Sequence, residues 1–437
     1  MRIIKPLIFS LINCVFVFSS FAQENITLVG KLPITGLPIH DVWGYTDTNT
    51  GKQYALLCAS TSGLRIIDVT DPSSPILTGS ISGNGIQAID VKTWKNYAYI
   101  VAESPSVSGK IIDLSDPSAP VQAGTFPGGH NITISNSGFM YLSAPGIRIF
   151  DLNDDLLNPT LVYTDNSCNG HDISIVGQTL YDFSDNCGTR IFDIGQPDTL
   201  VLLGTVPPSG IFHHSGWPSM DGNYLFICDE LASPAENDIT VWDISDITSP
   251  VLVDSFSDPN AYVHNLYVEE NYAFVSYYRA GFRVFNVANP TNISLTSEYD
   301  TDSLSSGPGY GGNFGLYTFW GANKILASDE ENGLYIFSFT GLNTGLSDSE
   351  NSEIQDVWIY PNPSNNEITV QLSSPQTEVF QITIADINGK VLQSETVPAN
   401  ENRLIKTYLL STFSDGTYFI SLESNNKVTT KKIILTR

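Results

Sequence analysis

Five of the six histidines in this 437-residue chain recur at one place in a repeating pattern: His40, His130, His171, His214 and His264, with His213 beside the fourth. Neutral imidazoles converging on one point can coordinate a divalent metal ion, Zn²⁺ or another transition metal. A water activated on such a metal could serve a hydrolase or a lyase. Acidic residues at a second repeated place, Glu103, Asp182, Asp229, Glu230, Asp329 and Glu330, are expected to return to the same face and could bind a cation or a polar ligand. A repeat also copies its framework residues, so a histidine at this position could instead hydrogen-bond the neighbouring unit. Spacing supplies no ligand distances, and both readings stay open at this point.

Other repeated residues read as framework. Arg65, Lys110, Arg148, Arg190 and Arg283 recur on one strand of the unit and suggest ion pairs between units, with their stems packed on apolar neighbours. Asp-x-x-Asp turns at Asp68 and Asp71, Asp113 and Asp116, and Asp243 and Asp246 satisfy turn backbone groups. Cys168 and Cys187 lie close enough in the pattern to form a disulfide, whereas Cys58 and Cys228 sit inside apolar runs as buried thiols. There is no nucleophile elbow, phosphate loop, Cys-x-x-Cys pair or metalloprotease helix motif, so an enzymatic reading rests on the histidines alone.

The elements that must position these residues are short strands. GLRIIDVTDPSSPILTGSI from Gly63, GKIIDLSDPSAPVQAGTF from Gly109, GTRIFDIGQPDTLVLLGTV from Gly188 and DITVWDISDITSPVLVDSF from Asp238 are copies of one half-unit. Further copies begin at Gly146 and Gly281, and a shortened one begins at Gly333. Two more strand-like runs precede each copy, giving four strands per unit at a period in the forties, the signature of a propeller blade. Seven copies predict seven blades. The last lacks a fourth strand, and residues 27–32, an orphan strand, are expected to supply it and close the ring.

Arg2 and Lys5 followed by an apolar run over residues 7–21 and the Ser20-Phe21-Ala22 pattern read as a signal peptide, residues 1–22, cleaved before Gln23. No later run offers a transmembrane segment. The formal net charge is -26, and residues 352–437 hold seven Lys/Arg against nine Asp/Glu, so the acidity sits in the repeats. Such a surface repels nucleic acid and anionic lipid and suits cations, cationic ligands or neutral glycans.

The repeats resemble the LVIVD-repeat propellers of the choice-of-anchor B group over roughly residues 37–339. The most specific stretches are His214-Ser215-Gly216-Trp217, Phe226-Ile227-Cys228-Asp229-Glu230, His264-Asn265-Leu266-Tyr267-Val268 and Ser328-Asp329-Glu330-Glu331-Asn332-Gly333-Leu334. The resemblance implies fold and destination but no established reaction. After a polar linker at residues 341–351, strand-like runs that open with Tyr360-Pro361-Asn362-Pro363 and carry Asp415-Gly416-Thr417-Tyr418 near a basic-apolar end resemble the C-terminal sorting domain of type IX secretion substrates. Asn388-Gly389 marks a hairpin turn between two of these runs. The reading is therefore all-β: a seven-bladed β-propeller at residues 23–340, then a small Ig-like β-sandwich sorting domain at residues 352–437. The expected product is secreted or held at the cell surface. It would engage the type IX machinery through its tail and bind a glycan, peptide or protein on the histidine-bearing face, with a metal-dependent hydrolase or lyase as the alternative.

Overall fold

The computed structural model describes residues 26–343 and 357–435, apart from positions 84–85, 103, 105, 185–186, 209–211, 231–235, 303–306, 361–363, 365, 374–378, 387–389, 399–402 and 425–426. The signal peptide, the Asn388-Gly389 turn, Pro361-Asn362-Pro363 and most of the linker lie outside the described residues. Thr340–Asn343, at the expected start of the linker, forms a short 3₁₀ turn. No helix among the described residues is long and apolar enough to cross a membrane.

Among the described residues the chain is all-β, and residues 26–339 form seven four-stranded antiparallel sheets in a propeller-like succession. Six sheets take their strands in chain order, as in Val42–Thr46, Gln53–Cys58, Leu64–Asp68 and Ile76–Ile81. The seventh uses Asn313–Tyr317, Ile325–Asp329 and Gly333–Phe339 and is completed by Ile26–Leu32, which pairs antiparallel with Gly333–Phe339. The chain's early strand thus fills the place that the shortened last repeat leaves open.

Burial explains the strand sequences. A second strand such as Gln53–Cys58 is covered on both faces by neighbouring sheets and reads as a continuous apolar run, while a fourth strand such as Ile76–Ile81 is largely exposed. Apolar clusters bridge adjacent sheets: Leu56 and Ile66 with Ile100 and Ile112 join the first to the second, and Phe274 and Val284 with Leu316 and Phe337 join the sixth to the seventh. Ala55 and Leu57 with Leu326 and Ile336 join the seventh back to the first. The apolar contacts therefore run around a closed circle.

One device recurs at each junction. The pairing of the third and fourth strands slips by a residue at the same place in all seven sheets, for example between Ile66 and Ile67 and between Ile191 and Phe192. Beside the slip, the fourth strand meets the turn of the next sheet. A Cβ on Gly79 would lie 2.2 Å from the Pro117 carbonyl oxygen, and one on Gly204 only 1.8 Å from that of Ile247. Where the position carries a polar side chain instead, it accepts a bond across the junction: Ile293 N donates to Asp254 Oδ2 (2.6 Å), and Ile26 N donates to Ser297 Oγ (3.0 Å). The Asp turns cap themselves, with Thr70 N donating to Asp68 Oδ1 (3.0 Å) and Ser73 N to Asp71 Oδ1 (2.9 Å).

Beyond the linker, one sheet holds Val357–Tyr360, Glu367–Ser373 and Arg403–Leu409, and a second holds Val391–Pro398, Val379–Asp386, Gly416–Ser424 and Lys427–Leu435. Ile368, Val370 and Tyr408 of the first share one apolar cluster with Ile382, Ile384, Ile420 and Leu422 of the second.

Candidate functional site

The first strand of each sheet starts at a common rim. His40, His130, His171 and His264 each donate their backbone N–H to the end of the second strand of their own sheet, at Cys58, Ser143, Phe183 and Ser276. Two residues further on, Val42, Val91, Ile132, Ile173, Gly216, Leu266 and Leu316 occupy equivalent places in the ladders. Counting back gives the rim as His40, Ile89, His130, His171, His214, His264 and Phe314. In the second sheet a bulge between Ala88 and Asp90 absorbs a residue, and Ile89 takes the place that a histidine holds elsewhere. A similar slip between Asn313 and Leu316 brings Phe314 to the rim of the seventh.

The structure brings the five histidines together. Ring centroids are 4.3 Å apart for His130 and His171, 4.3 Å for His171 and His214, and 4.6 Å for His214 and His264. Phe314 then bridges His264 at 4.1 Å to His40 at 5.1 Å. His213 points elsewhere and is 1% exposed, with its Nδ1 2.9 Å from the Thr189 hydroxyl.

Backbone carbonyls decide the tautomers, because they can only accept. His40 Nδ1 donates to Ala88 O (2.8 Å), His214 Nδ1 to His264 O (3.1 Å) and His264 Nδ1 to Phe314 O (2.6 Å), each reaching the next sheet. His171 Nδ1 meets Asp172 Oδ1 at 3.0 Å. In the neutral imidazole each Nε2 then carries the lone pair. The rim is framework through one nitrogen and offers a donor atom through the other. Burial pushes the pKa of His214 and His264 down to about 3 and that of His213 to about 4. Burial works against the Asp172 carboxylate, but His214, His171 and His130 around it hold its pKa well below the usual range.

Below the rim lies a layer that the histidine pattern alone did not reveal: Asp41, Asp90, Asn131, Asp172, Ser215, Asn265 and Gly315, each one residue after a rim position. The signal was the Asp, Asn or Ser that follows every histidine. Asp90 Oδ2 accepts from Ile132 N and Asn131 Nδ2 (both 3.0 Å), and Asn131 Oδ1 accepts from Ile173 N (3.1 Å), stitching one sheet to the next. Lys92 lies between Asp90 (2.5 Å) and Asp41 (3.3 Å), with its ammonium over the Trp43 ring. Burial disfavours the Lys92 charge, yet the two carboxylates outweigh it and raise its pKa. Burial likewise pushes the Asp41 carboxyl well above the usual range, against the pull of Lys92.

The floor is aromatic. Trp43, Trp217 and Tyr267 stand three residues past the rim, about 10 Å deeper at about 3.3 Å per strand residue. Phe319, from the loop after Asn313–Tyr317, touches Trp43 of the first sheet (5.8 Å), Trp217 of the fifth (5.7 Å) and Tyr267 of the sixth (5.2 Å). It therefore spans the axis and closes the space to a cup of about 650 Å³.

Of the acids, Glu230 and Glu330 line this cup. Glu230 Oε1 accepts from the Tyr278 hydroxyl (2.6 Å), and Oε2 lies 3.6 Å from His214 Nε2. The structure does not bring Asp182, Asp229 or Asp329 to it. All three are fully buried. Asp182 is gripped by Arg190 at 2.8 and 2.6 Å, with burial raising its pKa to about 6 against the pull of that cation. Asp229 sits 3.4 Å from the Thr240 hydroxyl, and Asp329 Oδ1 accepts from Glu331 N and Asn332 N. The pleat explains the division: at Asp229-Glu230 and Asp329-Glu330 the aspartate turns into the sheet and the glutamate toward the cup. Glu103 lies outside the described residues. Of the repeated basic residues, Arg190 and Arg283 form ion pairs, whereas Arg65, Lys110 and Arg148 donate to the carbonyls of Ser62, Gly83 and Gly128.

Cys168 and Cys187 form a disulfide with Cα atoms 6.3 Å apart, while Cys58 and Cys228 are buried thiols. Closing a loop with a sequence separation of 19 stabilises by about 3 kcal/mol in the chain-entropy description. Thiol titration of the denatured, unreduced exported protein should count two thiols, rising to four on reduction; four before reduction would refute the bond.

Two sequence families match parts of the chain. A secretion system C-terminal sorting domain covers residues 358–436, and the LVIVD repeat covers residues 53–82, 87–127, 219–258 and 261–301. The chain carries LVIVD repeats and a type IX sorting tail. It is therefore exported by type IX secretion to the cell surface or the extracellular space. No curated protein matches the sequence. Among solved structures, the LVIVD chain is similar to the computationally designed Ika8 protein, with 10% identity over 71% of this chain and 99% of that one and a TM-score of 0.49. It is also similar to PorZ, described as an essential bacterial surface component of the type-IX secretion system of Porphyromonas gingivalis. That match has 14% identity, covers 95% of this chain and 59% of PorZ, and has a TM-score of 0.44.

Proposed function

We propose that this chain is an exported binding protein of the choice-of-anchor B type: a closed seven-bladed propeller at residues 23–340 behind a signal peptide at residues 1–22, a linker at 341–351, and an Ig-like sorting sandwich at 352–437 that engages the type IX machinery. The cup is its binding site, and the end of a neutral or cationic oligosaccharide is its ligand. The observation that carries this reading is the cup itself, about 650 Å³ lined by Asp41, Asp90, Asn131, Asp172 and Asn265 above the aromatic floor.

A sugar ring suits the rest of the cup. Its C–H face can rest on the Trp43, Trp217, Tyr267 and Phe319 floor while its hydroxyls meet the polar wall, the usual division of labour in ligand pockets. Closure by Phe319 admits a chain end and excludes a threaded polymer.

The test is a glycan array probed with the purified exported protein in the presence of EDTA, followed by titration of the best oligosaccharide. Saturable binding is expected, with competition by the terminal monosaccharide and loss in Ser174→Trp, which fills the cup. Binding that survives Ser174→Trp, or binding only on a parallel peptide array, would overturn the reading.

A further inference from the structure

We propose that His171, His214 and Glu230 form a site for one divalent transition metal ion, with Zn²⁺ as the best fit, at the rim of the cup. This adds a group that no sugar contact requires, so it stands or falls separately from the glycan reading. One ligand atom from each of the three residues lies within 4.8 Å of the other two. Ligands around a tetrahedral zinc with bonds of about 2.0–2.1 Å are about 3.3 Å apart, so the set must close by about 1–1.5 Å. His171 is half-buried at the rim.

The stronger observation concerns protons. His214 commits its Nδ1–H to the His264 carbonyl, so its Nε2 presents a lone pair to Glu230 Oε2 at 3.6 Å. In that tautomer two electron-rich atoms face each other across a gap that a cation can fill. A cation bridging them removes this conflict.

The surroundings match what orients metal ligands elsewhere. A ligating histidine generally gives its second N–H to a carboxylate or a backbone carbonyl. His171 does the first, to Asp172 (3.0 Å), and His214 does the second. Glu230 is itself anchored by the Tyr278 hydroxyl at 2.6 Å. Asp172 thus acts as the positioning partner of His171. Two imidazoles and a carboxylate leave a fourth position open toward the cup, the pattern of zinc sites that keep a water or a substrate atom.

The experiment strips the exported full-length protein with EDTA, then titrates Zn²⁺ by calorimetry and measures bound metal after equilibrium dialysis. One zinc per chain is expected. Glu230→Gln, which keeps shape and can still accept from Tyr278, should weaken zinc binding by at least about tenfold, as should His214→Ala. His40→Ala alters a rim histidine outside the set and should leave zinc affinity unchanged. Thermal melts in EDTA verify that each variant is folded, and Co²⁺ loading gives a visible spectrum that should be lost in Glu230→Gln. Absence of stoichiometric zinc in the wild type, or equal affinity in wild type, Glu230→Gln and His214→Ala, would overturn the proposal.

Discussion

Deletion of residues 24–34 is expected to lower the thermal midpoint by about 10 °C or more and to convert a monomer into oligomers. Without Ile26–Leu32, the strand Gly333–Phe339 becomes an open edge with unpaired N–H and C=O groups, the usual template for pairing with another chain. Ile26 and Leu28, both partly buried, also pack on the cluster around Phe337 and Phe339, and their loss adds up to about 3–6 kcal/mol to that of the strand pairing. At about 2–4 °C per kcal/mol, that gives the stated shift. Differential scanning calorimetry and size-exclusion chromatography of the exported protein check both parts; an unchanged melt with monomeric elution would show that the strand is dispensable.

Gly204→Ala should also destabilise, through a single methyl group. Its Cβ would sit 1.8 Å from the Ile247 carbonyl oxygen and 2.8 Å from the carbonyl carbon, backbone that belongs to the next sheet and cannot swing away. Overpacking of this kind costs about 1–3 kcal/mol, and Gly204→Val should cost more. Gly124 occupies the equivalent place with a milder approach, 3.0 Å to the Leu157 oxygen, so Gly124→Ala should lose less. The ordering of the three melting temperatures is the readout; Gly204→Ala melting with the wild type would mean that the junction yields freely.

The four-strand unit was legible because middle strands buried on both faces read as unbroken apolar runs and the Asp turns punctuate them at a steady period. The closing role of residues 27–32 followed from counting strands. Register was harder to read. The bulges at Ala88/Asp90 and Asn313/Leu316 consume a residue without any change of composition, so Ile89 and Phe314 were not seen as members of the histidine rim. The choice between framework and ligand roles was undecidable in sequence because one imidazole does the first through Nδ1 and offers the second through Nε2. Phe319 lies in a loop outside the repeat phase, and nothing in the pattern announced that it would close the axis. Asp229 and Asp329 look like their glutamate neighbours on paper, and only the direction of each side chain separates them.

The seam between Ile26–Leu32 and Gly333–Phe339 also orders events in time. It joins residues as distant as Lys31 and Tyr335, 304 positions apart, and pairing over such a separation forms late and slowly. A growing chain must carry its first strand unpaired until the seventh sheet has been made, with stacked sheets open at both ends. The sorting tail begins only after that sheet. A chain cut short before Gly333 therefore lacks its closing partner and its sorting tail together.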